Sequence, residues 1–150
     1  MTSDSDLIKL YSSRILALAA DIPHLDRLEA PDATVKKRAP LCGSTITVDL
    51  NLSDGKITAF GQDVKACALG QASASIVGNA ILGRSYDEVE TARNQLKSML
   101  VENGPVPSPP FNELEVLIPA RDFKNRHASI LLALEATLEA MQQVPQQNCG

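Results

Sequence analysis

Apolar positions recur at helical spacing near the start of the chain. Leu7, Leu10, Tyr11, Ile15 and Leu18 fall on one side of residues 6–18, with Arg14 in the same register and Ser5 or Asp6 placed to cap the segment. This reads as an amphipathic docking helix. Pro23 and Pro31 interrupt it and leave a loop through Ala30. The period then changes from helical to alternating. Residues 34–38 read as extended, and residues 44–52 carry Ile46, Val48 and Leu50 at every second position, the mark of a strand with one buried face. Asp54-Gly55 predicts a tight hairpin turn, and residues 56–63 the returning strand.

From Ala68 the chain turns to Ala, Ser, Leu, Ile and Val without proline, which predicts a helix to about Leu82 with Gly83 as its stop. Ser85 with Glu88 three residues later is a capping box for a further helix reaching Leu100. The run Gly104-Pro105-Val106-Pro107-Ser108-Pro109-Pro110-Phe111 is a stiff connector within one domain rather than a boundary between two. Residues 112–118 suit a helical turn or two. Asn125 then opens a long amphipathic helix through Met141, with His127 in its first turn, before a Gln-rich tail expected to fray from about residue 144.

These 150 residues suffice for one domain with a real core, so any metal here serves function before folding. The net charge of −4 argues against nucleic acid, which needs a basic face, and aromatic content of 3% with no Trp leaves little to stack on bases. Lys36-Lys37-Arg38 is the local exception, read as a solvated strand or a partner-docking edge. No apolar run approaches the roughly 20 residues of a membrane-spanning helix. Three cysteines do not make a disulfide framework, and no secretory signal pattern opens the sequence, so a soluble protein of the reducing cytoplasm is expected.

The chemistry-bearing residues are Cys42, after a proline and before a glycine, Cys67, among small residues at a predicted helix start, and His127. Free cysteine is among the most buried residue types, so packing alone would account for either thiol. Their places suggest more. An antiparallel hairpin begins where it ends, so Cys42 before its first strand and Cys67 after its second should be neighbours. A helix N-terminus also favours thiolate, through unpaired N–H groups and the positive end of the dipole. The glycine and alanines around Cys67 either leave room for a ligand or let the helix pack closely. Two thiolates and an imidazole suit tetrahedral zinc, with one position left for water, Asp63, Ser44 or an external ligand. The same residues could form the nucleophile and base of a cysteine hydrolase, but nothing marks an oxyanion hole or an orienting carboxylate.

At Cys42-Gly43, Asp54-Gly55-Lys56-Ile57, Cys67-Ala68-Leu69-Gly70-Gln71-Ala72-Ser73-Ala74-Ser75, Gly83-Arg84-Ser85 and Arg126-His127-Ala128-Ser129, the sequence resembles the IscU/SufU family of iron–sulfur cluster assembly scaffolds, found also as the N-terminal domain of NifU. The resemblance runs from Leu10 to Met141, and the long interval from Cys67 to His127 is closer to the SufU branch. It implies an α+β fold, a three-stranded antiparallel sheet covered by helices. It also implies an exposed site for zinc, iron or a labile iron–sulfur cluster, a cysteine desulfurase as sulfur donor, and apo iron–sulfur proteins as acceptors. Cys42 and Cys67 match the family's first and second cysteines. Two positions depart from the pattern: Ser44 stands for the aspartate ligand and Ala128 for the third cysteine, an expected sulfur acceptor. The site left to this chain is Cys42, Cys67 and His127, with Cys67 or Cys42 taking the sulfur, and Cys149 in the tail is a further thiol that would have to swing back to supply a third thiolate. The family's Leu-Pro-Pro-Val-Lys segment is replaced by Ile118-Pro119-Ala120-Arg121-Asp122-Phe123. The sequence thus predicts a scaffold or sulfur acceptor that is not itself an enzyme. The alternative is a degenerate relative that binds the desulfurase without cluster chemistry.

Overall fold

Three antiparallel strands form a sheet in the order β1-β2-β3: β1 is Ala33–Arg38, β2 Thr45–Ser53 and β3 Lys56–Lys65. The computed structural model describes residues 13–39 and 43–144. The expected helix before Ser13, Cys42 with Pro40 and Leu41, and the tail with Cys149 lie outside the described residues. Asp54 and Gly55 both have positive φ, 53° and 77°, the backbone of a two-residue hairpin turn whose twist matches its strands. Helices follow in the predicted order: α1 is Ser13–Ala20, α2 Ala68–Ala80, α3 Tyr86–Val101 and α4 His127–Gln143. The fold is therefore the α+β sheet-and-helix arrangement expected.

Register divides the sheet into two unlike faces. Val35, Val48 and Gln62 lie opposite one another across the strands, as do Ala33, Leu50 and Phe60, and all six are buried. Helix α4 packs over this face on β1 and β2, and α2 and α3 pack against α4. The α4 face is apolar along its length, from Ile130 through Leu134 to Met141, so one helix serves the sheet and both neighbours.

The other face of the sheet carries Thr34, Asp49 and Gly61 in one row. Here the loop after α1 lies flat on the strands. A Cβ on Gly61 would come 2.7 Å from the Asp26 carbonyl oxygen, so only glycine admits the loop backbone. Opposite it the fully buried Asp49 carboxylate accepts hydrogen bonds from the Arg27 guanidinium, from Leu28 N–H at 3.1 Å and from the Thr34 hydroxyl at 2.7 Å. Burial alone would push the Asp49 carboxyl up, but these donors outweigh it and hold it below its ordinary value.

The first helix corrects one expectation. Ile15 and Leu18 are buried and α1 packs on α2, so in the described part the apolar side completes the protein's own core and is not offered to a partner. Arg14 remains exposed and pairs with Glu113. The Ser85 and Glu88 capping box forms in full. The segment after the connector is longer than predicted, a 3₁₀ helix over Asn112–Asp122 that continues through Pro119. A 3₁₀ turn, Lys124–Arg126, precedes α4, so that helix opens at His127 rather than Asn125. Among the described residues no helix is long and apolar enough to cross a membrane.

Candidate functional site

β3 ends at Lys65, and two residues later Cys67 caps α2 with extended backbone (φ −67°, ψ 171°). Its carbonyl accepts the Gln71 N–H at 2.9 Å, the first bond of the helix, while its side chain caps nothing. The thiol is therefore at a helix N-terminus, as predicted, and half-buried. The first turn of α4 closes over it. Gly70 lets the two helix ends meet: a Cβ there would lie 2.4 Å from Ser129 Oγ and 2.9 Å from the Ala66 Cβ. Of the two readings of the small residues around Cys67, close packing is the one that Gly70 serves, and its partner is α4 rather than the sheet. Ser73 and Ser75 are also packing residues, donating to the Ile130 and Asp21 carbonyls at 2.6 and 3.3 Å.

Ser129 connects the site. Its hydroxyl lies 3.7 Å from Cys67 Sγ and 2.9 Å from Ser44 Oγ, and both serines are nearly inaccessible, at 2% and 3% exposure. Burial by itself would raise the Cys67 thiol. Hydrogen bonds from the Gly70 N–H, the Ser129 hydroxyl, Arg126 and the Leu69 N–H outweigh it and hold the thiol below its ordinary value. The sequence named Ser129 and Arg126 only as part of a motif. Their chemical place follows from the helix crossing, which brings together residues 62 and 85 positions apart in the chain. Removing the Ser129 hydroxyl takes one donor from the thiolate, so Ser129→Ala should raise the Cys67 pKa. Alkylation of Cys67 by iodoacetamide at neutral pH should then slow about two- to fivefold, read by peptide mass spectrometry across pH.

His127 sits in the first turn of α4, as expected, and is half-buried. Its Nε2 is 2.9 Å from the Ala120 carbonyl oxygen and 3.1 Å from that of Arg121, so Nε2 carries the proton and donates. That leaves Nδ1 as the ring nitrogen not turned to these carbonyls. A histidine ligand commonly donates its other N–H to a carbonyl in this way. Ser44 is turned to Ser129, and Asp63 stands exposed on the uncovered face of the sheet, across from Thr47. Among the described residues no group of three His, Cys, Asp or Glu side chains converges for a metal. The flanks of Cys42 are described: Gly43 has φ +71°, the conformation foreseen for it, its N–H bonds the Ala39 carbonyl at 3.1 Å, and Ala39 N–H bonds the Ser44 carbonyl at 2.8 Å. Thr45 pairs with Lys65, so the chain leading from Cys42 and the chain leading to Cys67 meet at the same end of the sheet.

Fold and site together define a small α+β domain that presents a hydrogen-bonded thiol where a β-hairpin meets a helix N-terminus. The family model for the NifU-like N-terminal domain matches residues 10–116, and the chain belongs to that family. The matched span contains Cys42 and Cys67 and stops short of His127. A crystal structure titled a nitrogen-fixing NifU-like protein (N-terminal), from Brucella abortus, is similar with 40% identity and a TM-score of 0.91, covering 95% of this chain and 99% of that one. A putative iron–sulfur cluster assembly scaffold protein for the SUF system from Fervidobacterium islandicum shares the fold at 16% identity and a TM-score of 0.80, covering 89% and 98%. No curated protein matches the sequence.

Proposed function

We propose that the protein is an iron–sulfur cluster assembly scaffold, one NifU-like N-terminal domain that accepts sulfur at Cys67 from a cysteine desulfurase and passes its cargo to apo iron–sulfur proteins in the cytoplasm. Membership of the NifU-like family supports the scaffold reading. The observation that carries the sulfur step is the Cys67 thiol at the α2 N-terminus, held below its ordinary value by Gly70, Ser129, Arg126 and Leu69. In that step the Cys67 thiolate attacks the sulfane sulfur of a cysteine persulfide on the desulfurase. A new S–S bond forms as the donor's S–S bond breaks, and the donor cysteine leaves as thiolate, so no net oxidation occurs. The chain is a stoichiometric acceptor, not a catalyst.

Iron or zinc is cargo in this reading. Cys67, the Nδ1 of His127 and Cys42 are the donors available, two soft thiolates and a borderline imidazole. Ser44 and Ala128 supply neither charge nor a soft ligand where the family pattern has aspartate and cysteine, so metal should be held loosely.

The test is anaerobic incubation with desulfurase, cysteine, ferrous iron and dithiothreitol, followed by measurement of iron, zinc and acid-labile sulfide on the re-isolated protein. Iron and sulfide are expected together on the protein, in amounts that reflect loose retention by the reduced ligand set. A protein that binds the desulfurase yet stays free of metal and sulfur would instead be a partner without cluster chemistry.

A further inference from the structure

The loop after α1 covers only half of the outer sheet face. It lies over Asp49 and Gly61, and among the described residues the two rows toward Cys67 keep exposed side chains. One consists of Lys36, Thr47 and Asp63, the other of Arg38, Thr45 and Lys65. Lys36, Arg38 and Lys65 are exposed, and among the described residues no ion pair engages any of the three. These rows hold one carboxylate, Asp63, against the three cations, so this face is cationic. This is unusual on a chain of net charge −4. The patch also runs into the site: Lys65 is two residues before Cys67, whose sulfur Arg126 hydrogen-bonds.

We propose that this uncovered half of the sheet, through Lys36, Arg38 and Lys65, is the surface on which an acidic face of the sulfur-donating desulfurase docks beside Cys67. The inference rests on the proposed sulfur-acceptor role. Spacing sets the kind of partner. Arg38 and Lys65 are on strands two apart, about 10 Å, and Lys36 and Arg38 are two residues apart along one strand, about 7 Å. Cations spread in this way match a row of carboxylates on a protein surface. The residues between them are threonines, which offer no stacking to nucleic-acid bases.

The experiment measures binding of the full chain to the cysteine desulfurase of the same organism by calorimetry between 50 and 300 mM salt, concentrations chosen to straddle ordinary screening. Wild type is compared with the triple variant Lys36→Glu, Arg38→Glu, Lys65→Glu and with the control Lys97→Glu, an exposed cation on α3. The expected result is wild-type affinity that falls with salt, a tenfold or greater loss in the triple variant through lost steering and like-charge repulsion, and no change in the control. The triple variant should keep the wild-type melting temperature, which shows the fold intact. Equal affinity of wild type and triple variant, with the desulfurase bound, overturns the docking surface and leaves the acceptor role standing. Absence of desulfurase binding by wild type at low salt overturns both. Wild-type binding to transfer RNA that the reversal abolishes, with desulfurase binding unaffected, assigns the face to nucleic acid and overturns the inference.

Discussion

Cys67→Ser is expected to abolish sulfur acceptance. Serine keeps the shape and the backbone at the helix N-terminus, but its hydroxyl stays protonated where the thiol is held below its ordinary value by Gly70, Ser129, Arg126 and Leu69. An alcohol is a far weaker nucleophile than a thiolate at neutral pH, and the expected loss of labelled sulfur transferred from cysteine through the desulfurase is at least about a hundredfold. Because the substitution is nearly isosteric, the fold should survive, and binding of the desulfurase should remain. The measurement is radiolabelled sulfur on the protein after rapid desalting without reductant. Transfer to the variant at the wild-type level would move the acceptor role to Cys42 and end the assignment to Cys67.

Asp49→Ala should be the most damaging change away from the site. The carboxylate is fully buried and gathers the Arg27 side chain, the Leu28 N–H and the Thr34 hydroxyl, so it is what fastens the loop to the outer sheet face. Arg27 and Thr34 are exposed and can turn to water, but the Leu28 N–H loses its acceptor under the loop. The expected cost is about 2–4 kcal/mol, or a fall in melting temperature on the order of 10 °C. The same carboxylate gives the protein an acid-sensitive joint. Its folded pKa lies below the unfolded value, so its stabilisation is complete above about pH 4, the unfolded carboxyl range, and is lost as pH falls through the lower folded value. Wild type should lose stability over that acid range more steeply than Asp49→Asn, which has no charge to lose there. Denaturant unfolding at a series of pH values checks it, and parallel curves for the two proteins would remove Asp49 from the account.

Local signals made much of this fold legible. The Asp54-Gly55 turn, the Ser85 and Glu88 box and the alternation of Ile46, Val48 and Leu50 each act within a few residues, and each formed where the pattern put it. Asp49 sits on the polar side of the same alternation and reads as solvated. Its burial depends on a loop some twenty residues upstream, and nothing local to β2 announces that cover. The helix after the connector ran past its pattern because 3₁₀ geometry tolerates Pro119, which a period of 3.6 would have excluded. At the candidate site, the helix-terminal place of Cys67 and the first-turn place of His127 could be read directly. The hydroxyl chain from Ser44 through Ser129 to Cys67 could not, because it exists only once α4 crosses α2 at Gly70.

That crossing has a consequence for the order in which the chain becomes competent. The β2–β3 hairpin and the start of α2 are contiguous in sequence and can form early, placing Cys67 at a helix end while α4 is still undocked. Ser129 and Arg126 arrive only when the last helix closes a loop of some sixty residues, a slower event that fixes the whole core. Before it, the thiol has its helix N–H groups alone; after it, the thiol gains two further donors together with the burial that opposes them. The surroundings of Cys67 are thus completed only by the final docking step, and an immature chain carries an unfinished site until its C-terminal helix is in place.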